Sequence, residues 1–591
     1  MGLSESEMEE AYSAIAPDTT GLNFYTADPS LSALLDIYLD HDIRRHIEPH
    51  LVALGAEAGG RLDECARLAD RHPPILHHRD RYGRDIQTIE YHPAYRELEE
   101  AAFGRYGIHA MSHREGILGW PRKYPAVAKH AFTYLFNQAE FGLGCPINVT
   151  DGAAMLLDRY GSEDLKARYL DGLTTTDMSR LTQGAQFMTE KEGGSDVGRS
   201  TTRAVPEGDH WRLYGEKWFC SNADAKIAML LARPEGAPEG TRGLGLFLMP
   251  RFLEDGAPNH YRIVRLKDKL GTRSMASGEI KLEGAVAYAV GRLDRGFVQM
   301  AEMVNWSRLS NGGKSAALMR RALHDSLTVA RNRVVFGRRI IDHPLARRQL
   351  LKMMLPLEQA LSLCFATANA LDHAEQGRSQ AAAALVRILT PVLKYRATRD
   401  ARKVCGDAME LRGGIGYIEE FVTPRLLRDA HLGSIWEGTG NIVALDAVRR
   451  AIGRHGAESA LADDLHSRLR EAEGVPDSYR DRMKILVDKA IGFARHVADR
   501  SDLEADARRA TSMLYHVTSA VMFAWEAAHI HAIRGDARRL LLSLLVLNHR
   551  LTGHDPFAVS AGEQEERVAD LLLSERPVPM ETAAAIVTRA S

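Results

Sequence analysis

Glu437 stands among neighbours that suit a working base. In Arg428-Asp-Ala-His-Leu-Gly-Ser-Ile-Trp-Glu-Gly-Thr-Gly-Asn441 the carboxylate follows Ile435 and Trp436 and precedes Gly438 and Gly440, which flank Thr439. Two bulky apolar side chains desolvate a carboxyl group and raise its proton affinity toward neutral pH, while glycines admit a ligand against the backbone. The same residues also describe a solvated loop glutamate, so the choice rests on what else the chain carries.

Three other segments combine residue types that suit a flat or anionic ligand. Phe187-Met-Thr-Glu-Lys-Glu-Gly-Gly-Ser-Asp196 joins hydroxyls to consecutive glycines, which brings backbone N–H groups close to such a ligand; a plain helix-to-strand turn fits it equally well. Gly215-Glu-Lys-Trp-Phe-Cys-Ser-Asn222 sets Trp218 beside Phe219 near a strand end. Strand alternation predicts that the two rings point to opposite faces, one into the core and one against a ligand, with core packing of both as the other reading. Arg333-Val-Val-Phe-Gly337 predicts a helical arginine with a helix-terminating glycine after it. Two nucleotide motifs are excluded. Gly312-Gly-Lys-Ser315 has Arg308 where a phosphate loop needs its first glycine, and Gly243-Leu-Gly245 lacks the third glycine of a dinucleotide turn.

These segments need a scaffold, and the texture of the chain predicts an α+β fold that is mainly α. Residues 1–182 carry apolar residues at three- and four-residue spacing, as in Leu31–Leu39 and Ala128–Phe141, and read as an N-terminal helical domain. Within it, 72–98 is rich in Pro, Gly and polar residues and predicts a long loop. Residues 183–295 alternate short apolar runs with Pro/Gly clusters such as Pro234–Gly240 and read as a central β domain. Residues 296–455 read as a C-terminal helical bundle carrying the Glu437 loop, interrupted by glycines at Gly413–Gly416 and Gly438–Gly440. Residues 456–591 read as an extra helical domain, with a helix over Arg509–Ile533 closed near Gly535.

Composition bounds the function. The 591 residues are 45% hydrophobic and 26% charged with a net charge of -2, which is the profile of a globular protein with no overall basic field for nucleic acid. Five cysteines without a C-x-x-C pair predict reduced thiols and no metal site. The start, Met-Gly-Leu-Ser-Glu-Ser, lacks the basic end and apolar stretch of a signal peptide, and Leu540–Leu547 is far short of the ~20 residues of a membrane span. A cytoplasmic protein without a membrane partner is expected.

Taken in order, the motifs resemble the acyl-CoA dehydrogenase flavoprotein superfamily over residues 110–455, whose members fold as a helical domain, a β domain and a helical bundle. The resemblance implies FAD as cofactor and an acyl-CoA or other acyl thioester as substrate. Met188, Thr189, Gly194 and Ser195 correspond to its flavin-contacting segment, and Trp218, Phe219 and Ser221 to residues against the isoalloxazine ring. Arg333, Phe336 and Gly337 match an R-x-x-F-G element that reaches the pyrophosphate and adenine side of FAD across a subunit interface. Gly413 and Gly414 match its G-G-x-G-[YF] turn, and Ile435, Trp436, Glu437, Gly438 and Thr439, followed by Asn441, its catalytic loop beside the cofactor. The implied chemistry is α,β-dehydrogenation, with Glu437 taking the α-proton, the β-hydrogen leaving as hydride to flavin N5, and the Glu437 backbone N–H polarising the thioester carbonyl.

Within the superfamily the chain resembles the AidB-like branch, through Cys145-Pro-Ile-Asn148, Arg79-Asp-Arg-Tyr-Gly83, Tyr91-His-Pro-Ala-Tyr95, Leu266-Lys-Asp-Lys-Leu-Gly271 and the extra C-terminal domain. That branch implies a homotetramer. The electron acceptor is either an electron-transfer flavoprotein or oxygen. It also implies an alternative function, a DNA-associated flavoprotein that protects DNA from alkylation, with weak or vestigial dehydrogenase activity. Against the DNA role, residues 461–591 hold 17 Lys and Arg and 20 Asp and Glu, a net of -3, where a DNA-binding domain is expected to be basic. The basic clusters there are Arg508-Arg509 and Arg534 with Arg538-Arg539.

Overall fold

The computed structural model describes residues 16–377, 379–553, 557, 562–574 and 576–590; the amino-terminal Met-Gly-Leu-Ser-Glu-Ser lies outside the described residues. The chain runs through helices α1 (Pro29–Tyr38), α2 (His41–Ala58) and α3 (Arg61–Arg71), then strands β1 (Ile75–Arg79) and β2 (Asp85–Glu90). Helices α4 (Pro93–Glu99), α5 (Ala126–Ala139), α6 (Gly144–Tyr160) and α7 (Glu163–Thr174) follow. Strands come next: β3 (Gly184–Phe187), β4 (Arg203–Glu207), β5 (His210–Ser221), β6 (Ile227–Pro234), β7 (Gly245–Pro250), β8 (Tyr261–Leu266) and β9 (Ser277–Ala289). The rest is helical apart from a tight hairpin: α8 (Gly296–Asn332), β10 (Val334–Val335), β11 (Arg338–Arg339), α9 (Pro344–Glu375), α10 (Gln380–Arg412), α11 (Val422–Gly433) and α12 (Gly440–Leu445). The last described helices are α13 (Ala457–Glu471), α14 (Asp477–Asp499), α15 (Ala507–Arg534), α16 (Arg538–Val546), α17 (Gly562–Leu573) and α18 (Met580–Ala590).

Among these residues two compact units separate. One holds the chain up to Gly59, Ala126–Gln138 and everything from Asn311; the other holds Gly60–Pro125 and Ala139–Ser310.

In the second unit β3 to β9 form one seven-stranded sheet. Its order is β3-β6-β4-β5-β9-β7 with β8 added on β9, and β7 also pairs with β6, so the path closes on itself. Phe187, Leu213, Cys220, Leu230, Phe247 and Ile280 fill its core. The loop expected over 72–98 is instead an antiparallel hairpin, β1 with β2, followed by α4. The side chain of Asp80 accepts from the backbone N–H groups of Tyr82 and Arg84, which builds the turn, and Ile89 alone of its strands is buried in the sheet core. Of their other apolar residues, Ile75 and Ile86 are exposed and Leu76 is partly buried, so the strands carry no apolar alternation to betray them.

The first unit is helical and is tied together by buried charge. Arg320 on α8 meets Asp28, the N-cap of α1, at 3.0 Å, the Tyr134 hydroxyl of α5 at 2.9 Å and Glu358 of α9 at 2.5 Å. Glu358 also accepts from Arg539 at 3.0 Å, and Arg539 donates to Glu526 of α15 and to Ser362 of α9, both at 2.6 Å. The helices beyond residue 456 thus share a buried polar network with the bundle.

Asp372 of α9 caps α5 by accepting from the backbone N–H groups of Ala126 and Val127 at 2.6 and 3.3 Å. Burial outweighs those hydrogen bonds and pushes its carboxyl up to about 6. A raised folded-state value means that the native protein binds the proton more tightly than the unfolded chain, so this group adds stability at low pH and loses it as pH rises through about 6. Between pH 8 and pH 4 the stability of the wild type relative to Asp372→Asn should improve by about 2–3 kcal/mol, measured by urea unfolding at a series of pH values. No helix of the described residues is long and apolar enough to cross a membrane.

Candidate active site

Two segments singled out by sequence meet in the second unit, around an ion pair that sequence reading missed. Glu190 and Lys217 are both buried and 2.6 Å apart. Glu190 also accepts from the Thr202 hydroxyl at 2.6 Å and from Thr201, by backbone N–H at 2.6 Å and hydroxyl at 3.0 Å. Lys217 Nζ donates to the Leu231 carbonyl at 2.7 Å. Burial works against the Glu190 charge, but the Lys217 ammonium and these donors outweigh it and hold the carboxyl below its usual range; burial pushes the Lys217 ammonium down. The pair pins Met188 and Thr189 beside β5, where the Trp218 backbone N–H donates to the Thr189 carbonyl at 2.8 Å. Gly194 and Ser195 follow on the exposed side, with space for a Cβ on Gly194 limited only by Thr189 Cγ2 at 4.0 Å.

Trp218 and Phe219 do not point to opposite faces. The β5–β9 register slips between Lys217 and Cys220, so β5 carries an extra residue there. Lys217 and Cys220 are both buried, Trp218 is half-buried and Phe219 is 56% exposed, which puts both rings on the outer side of a bulge. Lys267 Nζ lies over both, 3.3 Å from the Trp218 centroid and 4.7 Å from that of Phe219, and Glu279 holds it at 2.6 Å. Ser221 ends the strand opposite Ser277.

Glu437 lies in the first unit, in the turn between α11 and α12. Its φ is +54° and that of Gly438 is +99°, so a non-glycine residue is held left-handed at the turn. The side chain is half-buried, flanked by exposed Ile435 and half-buried Trp436. Three helix side chains hold the turn. Asn311 of α8 donates to Glu437 Oε2 at 2.8 Å and to the Gly433 carbonyl at 2.9 Å; Lys394 of α10 donates to the Gly438 carbonyl; Arg402 of α10 donates to the Ser434 hydroxyl at 3.1 Å. Lys314 Nζ sits 4.8 Å from the Trp436 ring centroid. Thr439 caps α12 through its carbonyl, and Asn441 is exposed in its first turn. Asn311 and Lys314 belong to the stretch excluded above as a phosphate loop; polar residues in an Ala- and Met-rich helix are the signal that marks them.

The remaining positions fall elsewhere on the first unit. Helix α8 ends at Asn332, not at Gly337, and Arg333 leads into the β10–β11 hairpin. Its two-residue loop is Phe336-Gly337, with φ of +51° and +78°, the signs a type I′ turn requires. Phe336 is 97% exposed at the tip. Gly413 and Gly414 open a single 3-10 turn, both with nothing within 4 Å of an added Cβ, while a Cβ on Gly416 would meet the Met409 carbonyl oxygen at 2.3 Å.

The basic clusters of the C-terminal region are engaged internally. Arg539 is 2% exposed within its carboxylate network, Arg538 pairs with Asp536 at 2.7 Å, and Arg534 pairs with Asp36. Arg508 donates to the Tyr395 hydroxyl at 3.2 Å and Arg509 meets Asp506 at 3.5 Å. A phosphate-binding face built on Arg538 and Arg539 is therefore ruled out by the burial of Arg539.

Comparison with known proteins agrees with this layout. The AidB N-terminal domain family matches residues 15–179, the acyl-CoA dehydrogenase middle domain 185–285, and the acyl-CoA dehydrogenase C-terminal domain 294–453. The chain belongs to the acyl-CoA dehydrogenase family of oxidoreductases. It is 32% identical over 507 residues to acyl-CoA dehydrogenase family member 11 of Caenorhabditis elegans, covering 80% of this chain and 82% of that one. Over 443 residues it is 36% identical to AidB of Escherichia coli (strain K12), covering 73% and 78%, which with the N-terminal match places it in the AidB-like branch. The solved structure of Caenorhabditis elegans ACDH-11 in complex with C11-CoA superposes with a TM-score of 0.84 at 28% identity, over 91% of this chain and 93% of that one.

Proposed function

We propose that this chain is an FAD-dependent dehydrogenase of acyl-CoA-type thioesters, with Glu437 as the base. The observation that carries the reading is the Glu437 turn itself: a half-buried carboxylate, left-handed, with its orientation set by Asn311 and its following carbonyl by Lys394. The C11-CoA bound by the worm relative supports a thioester substrate.

The residues present suit FAD. Thr189 and Ser195 supply hydroxyls beside open glycine backbone, Trp218 supplies a half-buried aromatic face, and Gly413 and Gly414 leave room for a ligand against the main chain. Met188, Thr189, Gly194, Ser195, Trp218, Phe219 and Ser221 are assigned to the flavin ring side, and Gly413, Gly414, Ile435, Trp436, Gly438, Thr439 and Asn441 to the rest of the cofactor surface. Arg333, Phe336 and Gly337 are assigned to the FAD of a neighbouring subunit in a homotetramer, a role that suits an apolar side chain presented at an exposed hairpin tip. FAD when bound supplies the acceptor for the β-hydride. Glu437 takes the α-proton onto its carboxylate, and its backbone N–H donates to the thioester oxygen as negative charge develops there.

An electron-transfer flavoprotein or oxygen reoxidises the cofactor, the protein works in the cytoplasm, and the four segments 1–182, 183–295, 296–455 and 456–591 are its working parts. The burial of Arg539 and the pairing of Arg534 and Arg538 with Asp36 and Asp536 leave the DNA-protective alternative without support from that cluster. The test is direct: the purified protein should carry about one FAD per chain and convert C11-CoA to its 2-enoyl thioester in the presence of an electron-accepting dye. Protein that neither contains nor takes up FAD would remove the proposal.

A further inference from the structure

Glu437 is gripped by a side chain whose chemistry is more specific than packing requires. Asn311 Nδ2 has two N–H donors, and both are used, one on the Gly433 carbonyl and one on Glu437 Oε2. Two acceptors facing one atom fix which end of the amide points at the turn, because the reversed amide would set its oxygen against two oxygens. Asn311 Oδ1 is buried and has no hydrogen-bond partner, although polar atoms in protein interiors are nearly always paired. The amide is thus kept for its donors at the expense of its acceptor. The helix is shaped to deliver it: a Cβ on Gly312 would lie 2.5 Å from Leu393, and one on Gly313 3.0 Å from Cys364 Sγ, so the paired glycines let α8 pack closely against α10 and α9 just past Asn311. One α8 face then serves the turn, with Asn311 on the carboxylate, Lys314 over Trp436 and Ser315 Oγ 3.5 Å from the Cβ position of Gly433.

We propose that Asn311 is the positioning residue of the base, aiming the Glu437 carboxylate and holding it ionised to lower pH than its partial burial alone would permit; the proposal rests on the reading of Glu437 as base. A donor fixed on a carboxylate oxygen favours the ionised form, whereas partial burial beside Trp436 favours the protonated one. The other charged or titratable groups on elements around the turn include Lys314 on α8, Lys394, Tyr395, Arg399 and Arg402 on α10, and Arg425, Arg428, Asp429 and His431 on α11. None of them changes in an Asn311 variant, so a shift in titration isolates the amide.

The experiment is the pH dependence of anaerobic flavin bleaching by C11-CoA in wild type, Asn311→Ala, Asn311→Asp and Glu437→Gln. In Asn311→Ala the acid limb should move up by about 1–2 pH units, with the plateau at high pH much less affected. In Asn311→Asp, where a like charge faces the base, it should move further. A purely structural role would lower the plateau and leave the limb in place. Superimposable acid limbs in folded Asn311 variants, together with loss of bleaching in Glu437→Gln, overturn the role of Asn311 alone. Bleaching that survives in Glu437→Gln overturns the base assignment and this proposal with it. Asn311→Asp keeps the shape of the side chain and carries the test if the alanine variant does not accumulate.

Discussion

Glu437→Gln should lower the rate of flavin bleaching by C11-CoA by about 10²–10⁴-fold at its optimum pH, the range lost when a positioned general base is removed. Glutamine is close in size, and its carbonyl can still accept from Asn311 Nδ2, so the left-handed turn and its contacts should persist. What disappears is the proton acceptor. FAD content and C11-CoA affinity should therefore stay near wild type while the chemical step fails, a split that a disrupted fold would not produce. A loss of less than about tenfold would mean that another group takes the proton.

Arg539→Met should destabilise the protein by about 3–5 kcal/mol, the range for removing one partner of a buried ion pair. The guanidinium meets Glu526 at 2.6 Å and Glu358 at 3.0 Å, and none of the three groups is appreciably exposed. Burial already pushes the Glu526 carboxyl up despite the arginine; without it Glu358 would still face Arg320, while Glu526 would keep only the Ser362 hydroxyl as a direct partner against desolvation. Urea unfolding read by circular dichroism gives the midpoint shift. A stability equal to wild type would show that the C-terminal helices do not depend on this network, and weakened duplex-DNA retention at unchanged stability would return Arg539 to the role of a surface cation.

What the sequence made legible was local. The Glu437 turn, the 187–196 segment and the Trp218-Phe219 pair each carry their chemistry within about a dozen residues, and their order along the chain points to the family. The partners that make them work lie far off: Lys217 is 27 residues from Glu190, and Asn311 is 126 residues from Glu437. No periodicity marks such pairs. The bulge in β5 was hidden for a related reason, since strand alternation assumes an unbroken register and the extra residue is visible only against β9. The β1–β2 hairpin escaped because only Ile89 of its strands is fully buried in the core, with Leu76 partly buried against it. Gly337 was read as a helix end because a glycine after a helical run usually is one, whereas here it shares a left-handed turn with Phe336. Arg539 was grouped with surface cations because the sequence places it next to Arg538, although successive residues of a helix face different surroundings.

The central claim is that a thioester gives up its α-proton to Glu437 and its β-hydride to FAD on this chain. Anaerobic titration of the purified holoprotein with C11-CoA, followed through the flavin absorbance, tests it most directly. The predicted result is bleaching that saturates with about one equivalent of C11-CoA per flavin in wild type and is absent on the same timescale in Glu437→Gln. Unbleached flavin in wild type with C11-CoA and with shorter and branched acyl-CoAs alike would contradict it.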